Sequence, residues 1–167
     1  MLVEEGLLSK EEHKAPVVAT ASLRDCLYIY HARMGIEGEA AYYAAQNASD
    51  EQIAEIEALQ KEYRQYFLDG RDPMDAAEID YKLHGAVVNA SGNPYIIGMY
   101  DCIKARALRS RCYVQYLVGP KDSSKELTQR LRCHDSFIFA LKNGLADAAR
   151  DAIKLDINGM IEMYVLR

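Results

Sequence analysis

A chain of 167 residues is long enough to bury one sizeable core, and a composition half hydrophobic and 27% charged excludes an intrinsically disordered protein. With 25 Asp and Glu against 20 Lys and Arg the formal charge is −5, which excludes a stand-alone nucleic-acid binder built on phosphate neutralisation. No apolar run approaches a membrane span and no signal peptide opens the chain, so a cytoplasmic protein without membrane contact is expected.

In chain order, residues 1–22 stand apart. Leu2 to Leu8 reads as the end of a helix, Lys10 to Lys14 as a charged loop, and Val17 to Thr20 as a short strand. From residue 23 the apolar spacing is helical throughout. Ser22 is placed to cap a first helix, Leu23 to Asn47, with Leu23, Leu27, Tyr30, Met34 and Ala41 as its stripe. Ser49 or Asp50 caps a second, carrying Ile53, Ile56, Leu59, Tyr63 and Phe67. Asp69 to Pro73 ends it, and Pro73 suits the first turn of a third helix that runs to Ala90. Ser91-Gly92-Asn93-Pro94 stops the chain and restarts it into a fourth helix, Tyr95 to Leu117, closed by Gly119-Pro120. A fifth covers Lys125 to Lys142. Asn143-Gly144 turns the chain into a sixth, from Leu145 to near the end. The expected fold is all-α: an antiparallel bundle of about six helices with short turns. Cys26, Cys102, Cys112 and Cys133 fall inside apolar helical patterns with no C-x-x-C pair, and are expected as reduced core residues.

Ionisable residues interrupt three of the apolar stripes. The third helix turns Ala76, Ala77, Asp80, Leu83, His84, Val87 and Val88 inward, with Asp80 and His84 four apart and so stacked on one face. The fifth presents Leu127, Leu131, His134, Ile138 and Leu141; the sixth presents Ala149, Ala152, Ile153, Asp156, Met160 and Met163. His134 lies about ten residues before the Asn143-Gly144 turn and Asp156 about twelve after it, so at 1.5 Å per residue they differ in height by only ~3 Å. A buried carboxylate costs several kcal/mol unless it is paired or ligates a metal. Asp80, His84, His134 and Asp156 therefore form a candidate metal-ligand set, suited to a divalent transition metal such as Zn, Ni, Fe or Mn. Two self-satisfied Asp–His pairs, or helices that rotate these groups to solvent, are the alternatives. Arg33 is either an i,i+4 ion pair with Glu37 on a solvated face or a planar fork for a ligand carboxylate. His31 reads as a surface residue. Lys104, Arg106, Arg109 and Arg111 form a basic patch of the kind that is usually solvated, with one arginine reaching the pocket as the alternative. No nucleophile elbow, phosphate loop or dinucleotide fingerprint is present, so no enzyme is expected.

Several segments together resemble a known family. Ile29-Tyr30-His31-Ala32-Arg33-Met34-Gly35-Ile36-Glu37-Gly38 is similar to the opening of the FCD domain, the C-terminal effector domain of the FadR branch of GntR transcription regulators. Asp80-Tyr81-Lys82-Leu83-His84 followed by Asn89 to Pro94 resembles its "DxxFH…ASGNP" signature. His134 resembles the His of its "EHxxIxxAL" motif, and Leu145 to Arg150 the opening of its last helix. The resemblance covers residues 23–167. It implies a metal held by Asp80, His84 and His134, with Asp156 where the family pattern has His. It also implies a small carboxylate effector met by Arg33, a homodimer, and contact with DNA only through a winged-helix domain. Residues 1–22 resemble the end of that domain and its linker, with the rest of it missing from this chain. A metal-free dimerisation module with a degenerate site is the first rival reading, and a metal-dependent enzyme on small acids the second.

Overall fold

A computed structural model describes residues 8–10, 14–18, 22–69, 73–118 and 124–164. Six helices account for nearly all of it: α1 (Leu23–Asn47), α2 (Asp50–Leu68), α3 (Pro73–Ala90), α4 (Pro94–Val118), α5 (Ser124–Lys142) and α6 (Ala146–Tyr164). Ahead of them β1 (Leu8–Ser9) pairs antiparallel with β2 (Val17–Val18), Leu8 opposite Val18. Leu8 thus lies in a strand where a helix end was expected. His13 and the expected breaks at Gly70 to Asp72 and Gly119-Pro120 lie outside the described residues, as do the side chains of Phe67, Leu127 and Met163.

Local chemistry sets the helix ends. Ser22 Oγ accepts from the Asp25 amide at 3.1 Å while the Asp25 carboxylate accepts from the Ser22 amide at 3.2 Å, a reciprocal capping box. Ser49 and Gln52 make the same exchange at the start of α2. Asn93 Oδ1 accepts from the amides of Tyr95 and Ile96, and Pro94 fills the first position of α4, where no amide donor is needed. Gly144, at φ 67°, closes α5: the Leu145 amide reaches back to the Ala140 carbonyl at 2.9 Å and the Gly144 amide to that of Leu141. This Schellman closure makes α5 and α6 a tight hairpin.

α1 is the central helix and packs on α3, α4, α5 and α6, while α2 packs on α3 and α5. The largest apolar cluster joins Ala41 and Ala44 of α1 to Ile56, Leu83, Val87, Phe137, Leu141 and Ile153. A second joins Cys26 and Tyr30 to Val114, Ile157 and Met160, and a third joins Tyr63 and Tyr66 to Ala76 and Ile79. Each fully buried Leu, Ile or Phe stabilises the fold by roughly 1.5–3 kcal/mol. Of the cysteines only Cys26 is buried; Cys102 is exposed and Cys112 and Cys133 are half-buried, which corrects the expectation of four core thiols. An apolar helical environment in sequence does not fix which face meets the core.

The inward face of α3 is the one read from sequence: Ala76, Ala77, Asp80, Leu83, His84, Val87 and Val88 are all buried. That of α1 is rotated from its expected stripe. Leu23 is exposed and Leu27 and Met34 are half-buried, while Arg33 and Glu37 are buried beside Cys26, Tyr30, Ala40, Ala41 and Ala44. Among the described residues no helix is long and apolar enough to cross a membrane.

Candidate metal and effector centre

Where the apolar clusters meet, the bundle holds a polar centre. The structure brings Asp80 and His84 of α3, His134 of α5 and Asp156 of α6 together, all buried and both imidazoles fully so. His134 Nε2 stands 3.3 Å from Asp80 Oδ1 and 3.5 Å from Asp156 Oδ1. His84 Nε2 stands 3.3 Å from Asp156 Oδ2. The Asp156 carboxylate therefore bridges the two rings, which meet edge to face with centroids 5.7 Å apart. Asp80, His84 and His134 each offer a donor atom within 4.8 Å of the other two. Phe137 packs against both rings and Tyr63 against His134, so the centre has apolar walls.

Each imidazole is held from behind by its other nitrogen. Glu37 Oε2 lies 2.6 Å from His84 Nδ1, and the same carboxylate takes Arg33 Nε at 2.6 Å and Nη2 at 3.2 Å. Gln60 Oε1 lies 2.8 Å from His134 Nδ1. Glu37 and Gln60 were not singled out in sequence: Glu37 looked like the outer half of a surface pair, and a glutamine on α2 carries no charge signal. Arg111 and Arg130 are also buried. Arg130 Nη2 comes within 3.7 Å of Asp80 Oδ1 and its guanidinium lies over the Tyr63 ring, while Arg111 contacts the Met160 thioether. Of the basic patch read on α4, Arg111 is thus the member that turns inward. Arg33 is buried on Glu37 rather than solvated, and His31 is exposed as expected.

The electrostatics follow from this packing. Burial acts to raise the Asp80 and Asp156 carboxyls, but the imidazoles, joined at Asp80 by Arg111 and Arg130, hold both below the usual carboxylate range. Burial likewise opposes charge on His84, yet Glu37, Asp156 and Asp80 outweigh it and push its pKa up to about 10. His134 is raised against burial by Asp156 and Asp80. Glu37 is lowered, the Arg33 and His84 charges outweighing its burial.

The donor set fits a metal on geometric grounds. Both Nε2 atoms are buried, face the centre and make no well-aligned hydrogen bond, although carboxylate oxygens stand 3.3 Å away. Ligands 2.0–2.2 Å from one ion stand roughly 3.0–3.5 Å apart; the two Asp156–imidazole pairs and the Asp80–His134 pair have this separation, and Asp80, His84 and His134 each offer a donor atom within 4.8 Å of the others. Two imidazole nitrogens and two carboxylate oxygens are a donor set for a borderline divalent ion, and a hydrogen bond to the other ring nitrogen is the usual support of such a ligand.

An all-helical bundle thus encloses a buried acid–imidazole centre backed by arginines. Residues 28–159 match the FCD domain model, and the chain belongs to that family, the non-enzymatic effector domain of GntR-type transcription regulators. No curated protein matches it. Among solved structures it is similar to E. coli McbR/YncC, with a TM-score of 0.82 at 20% identity over 97% of this chain and 78% of that one. It is also similar to Lar, which controls the expression of the Listeria monocytogenes agr system, with a TM-score of 0.75 at 15% identity over 99% and 76%. Streptococcus agalactiae GntR gives a TM-score of 0.68 at 16% identity over 96% and 77%. At these identities the likeness speaks for the fold.

Proposed function

We propose that the domain senses a small organic acid through a divalent transition metal bound by Asp80, His84, His134 and Asp156. The observation that carries this reading is the approach of Asp80, His84 and His134 to within 4.8 Å of one another, both Nε2 atoms unsatisfied, with Asp156 within 3.5 Å of both rings. When bound, the ion would supply a Lewis-acidic positive centre for a carboxylate. This chain's own residues orient the donors: Glu37 holds His84 and Gln60 holds His134, while Phe137 and Tyr63 keep water out. Arg33 is our candidate for the effector carboxylate, with Glu37 as its partner until the effector arrives. Three buried arginines face three buried carboxylates (Glu37, Asp80, Asp156), so an added dication leaves a positive surplus that an anionic effector would neutralise.

Residues 23–167 are proposed as the effector module of a homodimeric cytoplasmic regulator, and residues 1–22 as the wing end and linker of a winged helix. The β1–β2 hairpin supports the second assignment. Effector binding would bias DNA affinity through a shift in the arrangement of the two copies. Calorimetric titration of chelator-treated protein with Zn²⁺, Ni²⁺, Fe²⁺ and Mn²⁺, followed by organic acids on the loaded form, tests the reading. Saturable metal binding followed by heat from one class of acid supports it; loaded protein silent to every acid sinks the effector half.

One observation favours a second reading, a metal-free structural module. Asp156 already lies within 3.5 Å of both imidazoles, so protonated rings would satisfy both acids without an ion. Protein that binds none of the four metals would decide for it.

A further inference from the structure

We propose that Asp135 and Gln60 are positioning residues for His134: a three-link chain from the surface fixes which ring nitrogen faces the buried centre. The proposal rests on the metal reading only for its effect on affinity; its structural part stands without it.

The chain runs inward from the groove between α2 and α5, about 390 Å³ in volume and lined by Gln60, Arg64 and Asp135 among others. The Arg64 guanidinium grips Asp135, Nη2 lying 2.9 Å from Oδ1 and 2.8 Å from Oδ2. Asp135 Oδ1 accepts from Gln60 Nε2 at 3.0 Å. Gln60 Oε1 then meets His134 Nδ1 at 2.8 Å. The direction of every link follows from chemistry. An ionised carboxylate can only accept, so Asp135 requires the NH₂ end of the Gln60 amide. The carbonyl end is thereby turned to His134, and a carbonyl can only accept. His134 Nδ1 must carry a proton, so Nε2, which faces Asp80 and Asp156, is the nitrogen that gives up its proton when a cation binds. Reversing the amide would set its NH₂ against Nδ1 and select the opposite tautomer, with Nε2 protonated and useless as a ligand.

Gln60 is 6% exposed and His134 fully buried, whereas the Arg64 and Asp135 side chains are about half exposed. The outer end of the chain is thus in water while its inner end sets the buried donor. His84 is set differently, by the Glu37 carboxylate directly, with Arg33 behind it. The two imidazoles have unlike supports: one charged and sealed in the core, the other neutral and tied to a surface ion pair. α2 supplies none of the four candidate ligands, but through Gln60 it hydrogen-bonds one of them.

The test compares wild type with Gln60→Leu, Asp135→Asn and Asp135→Glu, all in the whole chain. The first readout is the ¹⁵N and N–H spectrum of His134 in chelator-treated protein. Wild type should show a protonated, slowly exchanging Nδ1, unchanged in Asp135→Glu. In Asp135→Asn, where an amide replaces the carboxylate and leaves Gln60 free to flip, that proton should exchange faster. In Gln60→Leu the resonance should shift or vanish. The second readout is Zn²⁺ affinity. Gln60→Leu should weaken it about 10–100-fold, the usual effect of losing such a support. Asp135→Asn should weaken it less, and Asp135→Glu should restore it. If Gln60→Leu fails to fold, the surface variant Asp135→Asn carries the test alone. A wild-type Nδ1 without a proton overturns the proposal, as does an Asp135→Asn protein with wild-type spectrum and affinity. Wild type that shows the expected Nδ1 proton but binds no metal would remove the metal reading and leave the positioning chain standing.

Discussion

Asp156 and His134 face each other across the α5–α6 hairpin, Oδ1 and Nε2 standing 3.5 Å apart, although 22 positions separate them in the chain. The same carboxylate reaches His84 of α3 through its other oxygen. One side chain thus links three helices at the centre.

Replacing Asp156 by His should keep the fold and shift metal preference. An imidazole in place of the carboxylate makes the donor set richer in nitrogen, which favours Zn²⁺ and Ni²⁺ over Mn²⁺. Competition titrations of wild type and Asp156→His should show a higher Zn/Mn affinity ratio in the variant; an unchanged ratio would mean that Asp156 is not a ligand.

Asp80→Ala should be costly with or without metal. It strips the carboxylate from His134 and Arg130 in a buried site, and breaking such a pair typically costs 3–5 kcal/mol. Denaturant unfolding of chelator-treated protein would measure it. A loss below about 1 kcal/mol would place Asp80 in an environment far wetter than its burial indicates.

Glu37→Gln tests the support behind His84. The amide keeps the shape but leaves Arg33 buried without its counter-charge, so stability should fall by about 3–5 kcal/mol. Metal affinity should drop about 10–100-fold. Wild-type affinity in a folded Glu37→Gln protein would show that His84 needs no carboxylate to act as a ligand.

Metal and protons should compete for His84. Its folded-state pKa is raised to about 10 from an ordinary 6.5, so in metal-free protein the ring is charged at neutral pH. The stability this contributes is fully present below pH 6.5 and is lost as the pH climbs to 10. Metal-free protein should therefore melt progressively lower across that window. Because metal must displace the proton, affinity should rise with pH over the same range, with protons released on binding. Calorimetry in buffers of different ionisation enthalpy counts those protons; a count of zero at pH 7 would contradict the charged ring.

Gly144→Ala should loosen the hairpin that aligns His134 with Asp156. The left-handed φ of 67° costs a residue with a Cβ roughly 1–2 kcal/mol, and the new methyl would meet only the Ala45 carbonyl at an ordinary 3.7 Å. A melting temperature equal to wild type would mean that the turn relaxes at no cost.

The sequence alone determined the helix boundaries, mostly to within a residue, because caps, prolines and the left-handed Gly92 (φ 65°) and Gly144 act locally. It also determined the inward face of α3, where apolar residues flank Asp80 and His84 on every side, and the level match of His134 with Asp156, which follows from a short turn and a fixed rise per residue. Tertiary structure decided the rest. Arg33 and Glu37 have the spacing of a solvated surface pair, and only the crowding of α1 by four other helices buries them. Arg111, Arg130 and Gln60 reach the centre because their partners, Met160, Asp80 and His134, arrive from other helices. Periodicity tells which residues share a face; whether a polar face meets water or a matching polar group is settled only when the helices pack.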